Sequence, residues 1–306
     1  VTESDVPTES PAPTESDVPA ESPTAPRTAA STGTGTPAAG ARLTARDITL
    51  AYGDRTISTH LTLDIPDGAF TAIVGANASG KSTLLRAFVR LLKPSAGAVF
   101  LDGRAMETYQ PKALARQIGF LPQELTAPES LLVRQLVARG RFPHRSAFSV
   151  TTAADARAVR EAMAAAGVTE LADRPVARLS GGQRQRVWIA MALAQETPYL
   201  LLDEPTTYLD LAHQYQLLSL LATLRDSGRT VIAVLHDINQ ACRFADHLVA
   251  MRDGRVHAEG PPADIVDTVL IEEVLGLPNL IVPDPVTGTP LVIPGLSRDP
   301  AAPSRA

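Results

Sequence analysis

"FTAIVGANASGKSTLLRAFVRLL", residues 70–92, changes texture twice. Phe70 to Val74 form a short run that is apolar apart from Thr71, the pattern of a strand buried on both faces. "STLLRAFVRLL" then carries its apolar residues at helical spacing. Between the two lies "GANASGKS", residues 75–82, which satisfies the spacing G-x-x-x-x-G-K-[ST]. The chemistry follows from the residue types. Glycines let backbone N–H groups turn inward around phosphates, Lys81 can reach the outer phosphates, and the Ser82 hydroxyl can ligate Mg²⁺. The helix that follows aims its positive end at the same anion.

Outward from this loop the same rhythm recurs. "YLLL" at 199–202 and "VIAVL" at 231–235 are short buried-strand runs separated by helical patterns, which predicts a parallel α/β sheet. Upstream, "LTARDITLAYG" and "LTLDIPDG" alternate apolar and polar residues, as half-buried strands do. From about residue 124 the chain becomes rich in Ala and Arg and has no buried-strand run. "DARAVREAMAAAG" reads as a helix stopped by Gly167, so a helical subdomain is expected within about 124–190. From about Pro261 the stretch "VPDPVTGTPLVIP" predicts short strands and turns through 261–306.

Residues 1–40 are low complexity: "TESDVP" occurs at 2–7 and 14–19, among seven prolines. Six acids against one arginine give this segment the whole formal charge of −5, leaving 41–306 neutral. Such a segment buries too little apolar surface to offset its ordering entropy and reads as a disordered acidic tail. The rest shows no basic footprint for nucleic acid. A lone cysteine, Cys242, excludes an internal disulfide and fits a reducing compartment. No apolar run approaches the ~18 residues of a membrane span, and no secretion signal is expected. The 44% hydrophobic content fits a soluble globular protein.

Further chemistry gathers at strand ends, where sites form in open α/β sheets. Asp203 and Glu204 close the run "YLLLDE"; Asp203 could hold Mg²⁺ through water, and Glu204 could polarise an attacking water. His236 directly follows "VIAVL" and could hydrogen-bond a terminal phosphate and hold Glu204. Gln123, in "GFLPQ", could touch Mg²⁺ or water and report nucleotide state to the helical insert. Tyr52 could stack on adenine or pack on the sheet. "LSGGQRQR", 179–186, offers the Ser180 hydroxyl, close backbone approach at Gly181 and Gly182, and a helix N-terminus. Taken alone, a serine N-cap before flexible glycines is the commoner reading.

Together these residues resemble the ATP-binding subunit of an ABC transporter over about residues 43–260. The matching positions are the Walker A loop 75–82, Gln123 as the Q-loop, "LSGGQ" 179–183 as the signature and "YLLLDEP" as Walker B. "TTYLD" 206–210 resembles the D-loop with Asp210, His236 the switch histidine, and Tyr52 the adenine-stacking aromatic. Ala76 and Ala78 depart from the commoner Pro and Gly, with the phosphate-binding positions intact.

The resemblance implies an α/β P-loop cassette, within about 41–260: a mostly parallel core sheet, an antiparallel β subdomain and an inserted helical subdomain. It implies ATP and Mg²⁺. ATP would be bound by Tyr52, Gly75, Asn77, Ser79, Gly80, Lys81, Ser82 and Thr83, with Ser82, Gln123 and Asp203 toward the metal. Glu204, His236 and Gln123 would be catalytic. It further implies a head-to-tail dimer in which Ser180, Gly181, Gly182, Gln183 and Asp210 of one copy complete the site of the other. Membrane permease subunits on the cytoplasmic face, and indirectly a substrate-binding protein, would be the other partners. "RGRFPH" 139–144, "TTYLDLAHQ" 206–214 and "DPVTGTPLVIP" 284–294 resemble the iron-siderophore and cobalamin importer branch, so ferric siderophore import is expected, with cobalamin or haem as the alternative cargo. A soluble ABC ATPase acting on nucleic acid or ribosomes is disfavoured by the single cassette and the lack of a sustained heptad run.

Overall fold

A computed structural model describes residues 41–295 apart from 125–127, 129 and 146–150; the acidic stretch 1–40 lies outside the described residues. Strands β1 (Leu43–Tyr52) and β2 (Arg55–Ile65) form an antiparallel hairpin whose Gly53–Asp54 turn has Gly53 at φ 57°. Then come β3 (Phe70–Gly75), the phosphate-loop segment and α1 (Lys81–Phe88). β4 (Ala96–Leu101) and β5 (Arg104–Ala105) join through Asp102–Gly103, both with positive φ, the backbone a two-residue hairpin turn requires. The order β2-β1-β4-β5 makes an antiparallel sheet.

The remaining elements build the core. α2 (Pro111–Ala115) leads to β6 (Ile118–Leu121); α3 (Val133–Arg139), α4 (Ala153–Ala165) and α5 (Gly181–Ala194) follow before β7 (Tyr199–Asp203). Then come α6 (Leu211–Asp226), β8 (Thr230–Val234), α7 (Ile238–Phe244), β9 (His247–Arg252) and β10 (Arg255–Gly260). The second sheet has the order β10-β9-β3-β8-β7-β6, parallel except for β10. Every residue of β7 and β8 is buried, which explains why their sequences read as continuous apolar runs rather than alternations.

This sheet divides the core. Leu200 and Leu202 pack on one face with α3–α7; Tyr199 and Leu201 pack on the other with α1 and the antiparallel sheet. Between β6 and β7 the described part of the inserted chain is mainly helical. Its α4 starts at a capping box in which the Thr152 side chain accepts from Asp155 N and the Asp155 carboxylate accepts from Thr152 N, each at 3.1 Å. The order β3-β8-β7-β6 sets the C-terminal ends of four parallel strands side by side. Those ends deliver residues 75–81, His236, Asp203–Glu204 and Gln123, which is how positions far apart in sequence reach one crevice.

The expectation of strands and turns from Pro261 is corrected in its first part. Helices α8 (Pro262–Ile265) and α9 (Thr268–Leu275) precede a two-stranded hairpin of β11 (Asn279–Pro283) and β12 (Pro290–Pro294). Pro262 stands in the first turn of α8, where its missing N–H costs nothing. Asp267 caps α9 by accepting from Leu270 N at 2.7 Å, and Gly276, left-handed at φ 67°, ends it.

Candidate nucleotide-binding site

The loop after β3 is held by backbone geometry. Gly75 has φ 149°, and a Cβ there would stand 2.1 Å from the Met251 carbonyl oxygen, so no side chain fits. Gly80 at φ 100° turns the chain into α1, and Ala78 takes a left-handed φ of 63° that is strained for a non-glycine residue. Asn77 to Thr83 line a cavity of about 620 Å³ together with Tyr52, Arg55, Ile57, Gln123, Glu204 and His236.

Lys81 is buried at 5% exposure, and its ammonium donates to the carbonyl oxygens of Gly75 at 2.9 Å and Ala76 at 2.8 Å. Burial pushes its pKa below the ordinary lysine value, against the opposing pull of Glu204 and Asp203. The Ser82 hydroxyl donates to Asp203 Oδ1 at 2.8 Å. Asp203 is 1% exposed, and burial is the main cause raising its carboxyl above the usual range. Its second oxygen, Oδ2, has no hydrogen-bond partner among the described residues, and neither does the buried Ser79 hydroxyl. A buried carboxylate oxygen left unpartnered beside a hydroxyl is an oxygen donor set of the kind Mg²⁺ takes, so the residues fit that ion.

Glu204 follows β7 in the left-handed region at φ 52°, strain that is common where a side chain must be aimed. Its Oε2 accepts from Gln123 Nε2 at 2.7 Å, and its Oε1 lies 2.8 Å from His236 Nε2, which donates when it carries a proton. One carboxylate thus joins the ends of three strands: β6 through Gln123, β7 through its own backbone and β8 through His236.

At the mouth of the cavity Tyr52 is 42% exposed, and its hydroxyl accepts from Arg86 Nη1 at 3.0 Å. Sequence reasoning missed Arg55, Ile57 and Arg86. Arg55 pairs with Tyr52 across the hairpin turn, so the Tyr-Gly-Asp-Arg spacing carried a usable signal. Arg86 lies one helical turn beyond Ser82, on the same face of α1.

Other predicted residues are not brought to this cavity. Ser180 is the N-cap of α5: its hydroxyl accepts from Gln183 N at 3.2 Å, and Gln183 Oε1 accepts from Ser180 N at 3.1 Å. Gly181 borders a second cleft of about 610 Å³, with Glu124, Arg184, Gln185, Thr207 and Tyr208, that shares Gln123 with the first. Gly182 lies close to the 206–209 turn, where a Cβ would meet the Tyr208 carbonyl oxygen at 3.0 Å. Asp210 caps α6, accepting from His213 N at 2.9 Å. Within one chain, Tyr52, 77–83, Gln123, Glu204 and His236 meet, with Gly75 and Asp203 directly behind them; Ser180–Gln183 and Asp210 do not join them.

Residues 58–207 match the family described as ABC transporter. The chain is 54% identical over 267 residues to the ferric enterobactin transport ATP-binding protein FepC of Escherichia coli (strain K12), covering 87% of this chain and 97% of that protein. It is 49% identical over 253 residues to the petrobactin import ATP-binding protein FpuD of Bacillus anthracis, covering 82% of this chain and 93% of the relative. Among solved structures, the dimeric post-hydrolysis state of the ATP-binding cassette MJ0796, bound to ADP and Pi, superposes with a TM-score of 0.64. It is 32% identical and covers 72% of this chain and 98% of that one. The chain belongs to the ABC transporter family, as an ATP-binding subunit that hydrolyses ATP.

Proposed function

We propose that this subunit powers import of a ferric siderophore through a separate membrane permease, acting at the cytoplasmic face. The observation that carries the catalytic part is the Glu204 carboxylate held between Gln123 and His236 at the rim of the phosphate loop. The cargo class follows the likeness to the enterobactin and petrobactin proteins, which extends over nearly their full length. Among the described residues no helix is long and apolar enough to cross a membrane, in keeping with a partner that supplies the channel.

In this reading ATP lies along 75–83 with its base against Tyr52. Backbone N–H groups of the loop, with Asn77, Ser79, Gly80 and Thr83, receive the phosphates. Lys81 exchanges its bonds to the Gly75 and Ala76 carbonyls for phosphate oxygens. Ser82, Asp203 and Gln123 would hold Mg²⁺, which neutralises phosphate charge when bound. Glu204 orients the attacking water and draws its proton, and His236 contacts the terminal phosphate while fixing Glu204. Ser180, Gly181, Gly182, Gln183 and Asp210 serve the ATP of a second copy in a head-to-tail dimer. The ATPase domain then comprises about 41–260, with 1–40 a passive tail and 261–306 an extension.

The test is uptake. In cells lacking their own siderophore ATPase, this chain expressed with its permease restores accumulation of radiolabelled ferric siderophore, and Glu204→Gln does not. Equal uptake by both proteins overturns the reading.

A further inference from the structure

The motif "DPVTGTPLVIP" has no part in the site described above, yet it is fastened to the element that begins beside His236. Helix α7 starts two residues after His236 and has only seven residues, a length far too short to be stable alone. Its direction is therefore set by what it is tied to.

Two ties run to the C-terminal hairpin from one face of α7, four residues apart. Asn239 Nδ2 donates to the Val292 carbonyl at 3.0 Å, and Val292 N donates to Asn239 Oδ1 at 2.7 Å, so the side-chain amide pairs with β12 as a neighbouring strand would. One turn on, the Arg243 guanidinium grips Asp284, donating from Nε at 3.1 Å and also from Nη2. Asp284 is 4% exposed, and its other oxygen accepts from Val286 N at 2.8 Å and Thr287 N at 3.2 Å, so the same carboxylate shapes the hairpin's turn. From the other side, buried Gln240 donates to Gln214 Oε1 at 2.7 Å, and Gln214 donates to the Leu209 carbonyl at 3.1 Å. The helix behind His236 is thus clamped between the C-terminal hairpin and the turn that follows Glu204.

We infer that the hairpin β11–β12 is a positioning element for His236, acting through Asn239 and Arg243. The inference rests on the reading of His236 as a phosphate-facing group. Neither Asn239 nor Arg243 lines the phosphate-loop cavity; they fix where the start of α7, and so His236, stands.

The test is a double-mutant cycle on ATP hydrolysis by the full chain, using His236→Ala, Asn239→Ala and both together. Asn239→Ala is expected to lower kcat about tenfold, since misplacement by an ångström can cost up to about a hundredfold. KM for MgATP stays within about twofold of the parent because the phosphate loop is untouched. On the His236→Ala background the same change lowers kcat no further. Wild-type kcat in Asn239→Ala, a parallel rise in KM, or losses that multiply in the double variant overturn the inference. A His236→Ala protein with unchanged kcat overturns instead the reading on which it rests, and the inference with it. Should Asn239→Ala fail to fold, Arg243→Lys, which keeps the charge on Asp284 and loses the fork, carries the same cycle with the same outcomes.

Discussion

Glu204 Oε1 and His236 Nε2 stand 2.8 Å apart although 32 positions separate them, because β7 and β8 are parallel neighbours in register from Tyr199↔Thr230 to Asp203↔Val234. With Gln123 Nε2 at 2.7 Å on the other oxygen, both oxygens of the Glu204 carboxylate are held by neighbouring side chains. Glu204→Gln keeps the shape and removes the carboxylate proposed to draw a proton from water. Hydrolysis is expected to fall by about 10²–10⁴-fold with ATP affinity retained. Phosphate release measured beside equilibrium ATP binding checks this, and turnover at the parent rate would remove Glu204 from that role.

If Asp203 holds Mg²⁺ as proposed, its burial exchanges stability for function. Burial raises its carboxyl above the ordinary value, so between the unfolded and folded pKa values the folded state holds more protons than the unfolded one. The sign follows: this group's contribution to stability falls as pH rises through that window, and at neutral pH the ionised form is a cost. Asp203→Asn is expected to stabilise the nucleotide-free protein by about 1 kcal/mol, seen as a raised melting temperature, as relaxing a functional site commonly does. The same change removes Mg²⁺-dependent hydrolysis. Calorimetry without nucleotide gives the sign, and a lowered melting temperature would refute it.

The opposite sign holds for Asp155 in the helical insert. Its bond from the Thr152 backbone, and then the Arg141 guanidinium at 3.0 Å, hold its carboxyl at about 2, against 3.8 for the free group. Its stabilisation is complete above the unfolded value and disappears as pH falls through the folded one. The stability gap between the parent and Asp155→Asn is therefore constant above about pH 5 and shrinks as the pH falls toward about 2. Denaturant titrations at several pH values check this; a gap that widens in acid contradicts it.

In the proposed reading Tyr52 offers a face to the base, while its hydroxyl accepts from Arg86. Base–aromatic stacking is worth about 1–3 kcal/mol, so Tyr52→Ala is expected to raise KM for ATP about tenfold with kcat little changed. Tyr52→Phe keeps the ring and loses only the exposed Arg86 bond, so its KM moves less than about twofold. Steady-state kinetics with ATP and GTP separates ring from hydroxyl.

The chemistry of the site was legible where it sits next to a local pattern. Lys81, Asp203, Glu204 and His236 each follow a run of buried apolar residues, and such runs can be read one strand at a time. Arg86 on Tyr52, and Arg243 on Asp284, are contacts across 34 and 41 positions that no local periodicity encodes. Helix α9 is masked locally by the prolines and Gly288 of 282–294, although its own start and stop are the Asp267 cap and left-handed Gly276. The left-handed backbone of Glu204 carries no sequence mark, since glutamate is not a residue that prefers it.

The most discriminating outcome concerns Ser180, whose hydroxyl is spent on the α5 cap while Gly181 faces a cleft apart from the phosphate loop. If each ATP is enclosed by the loop of one copy and the signature of another, two different defects can complement. Lys81→Ala disables a loop and Ser180→Arg disables a signature, so a homodimer of either has no intact site. A mixed dimer has one site with both parts intact and one with neither. In the Glu204→Gln background, where bound ATP persists, the mixed dimer is expected to retain one ATP and the undamaged dimer two. Dimers assembled from separately tagged chains and analysed for bound nucleotide give the count. Retention by the Ser180→Arg homodimer equal to that of the parent would mean that the signature takes no part in holding nucleotide, and the head-to-tail arrangement would fall with it.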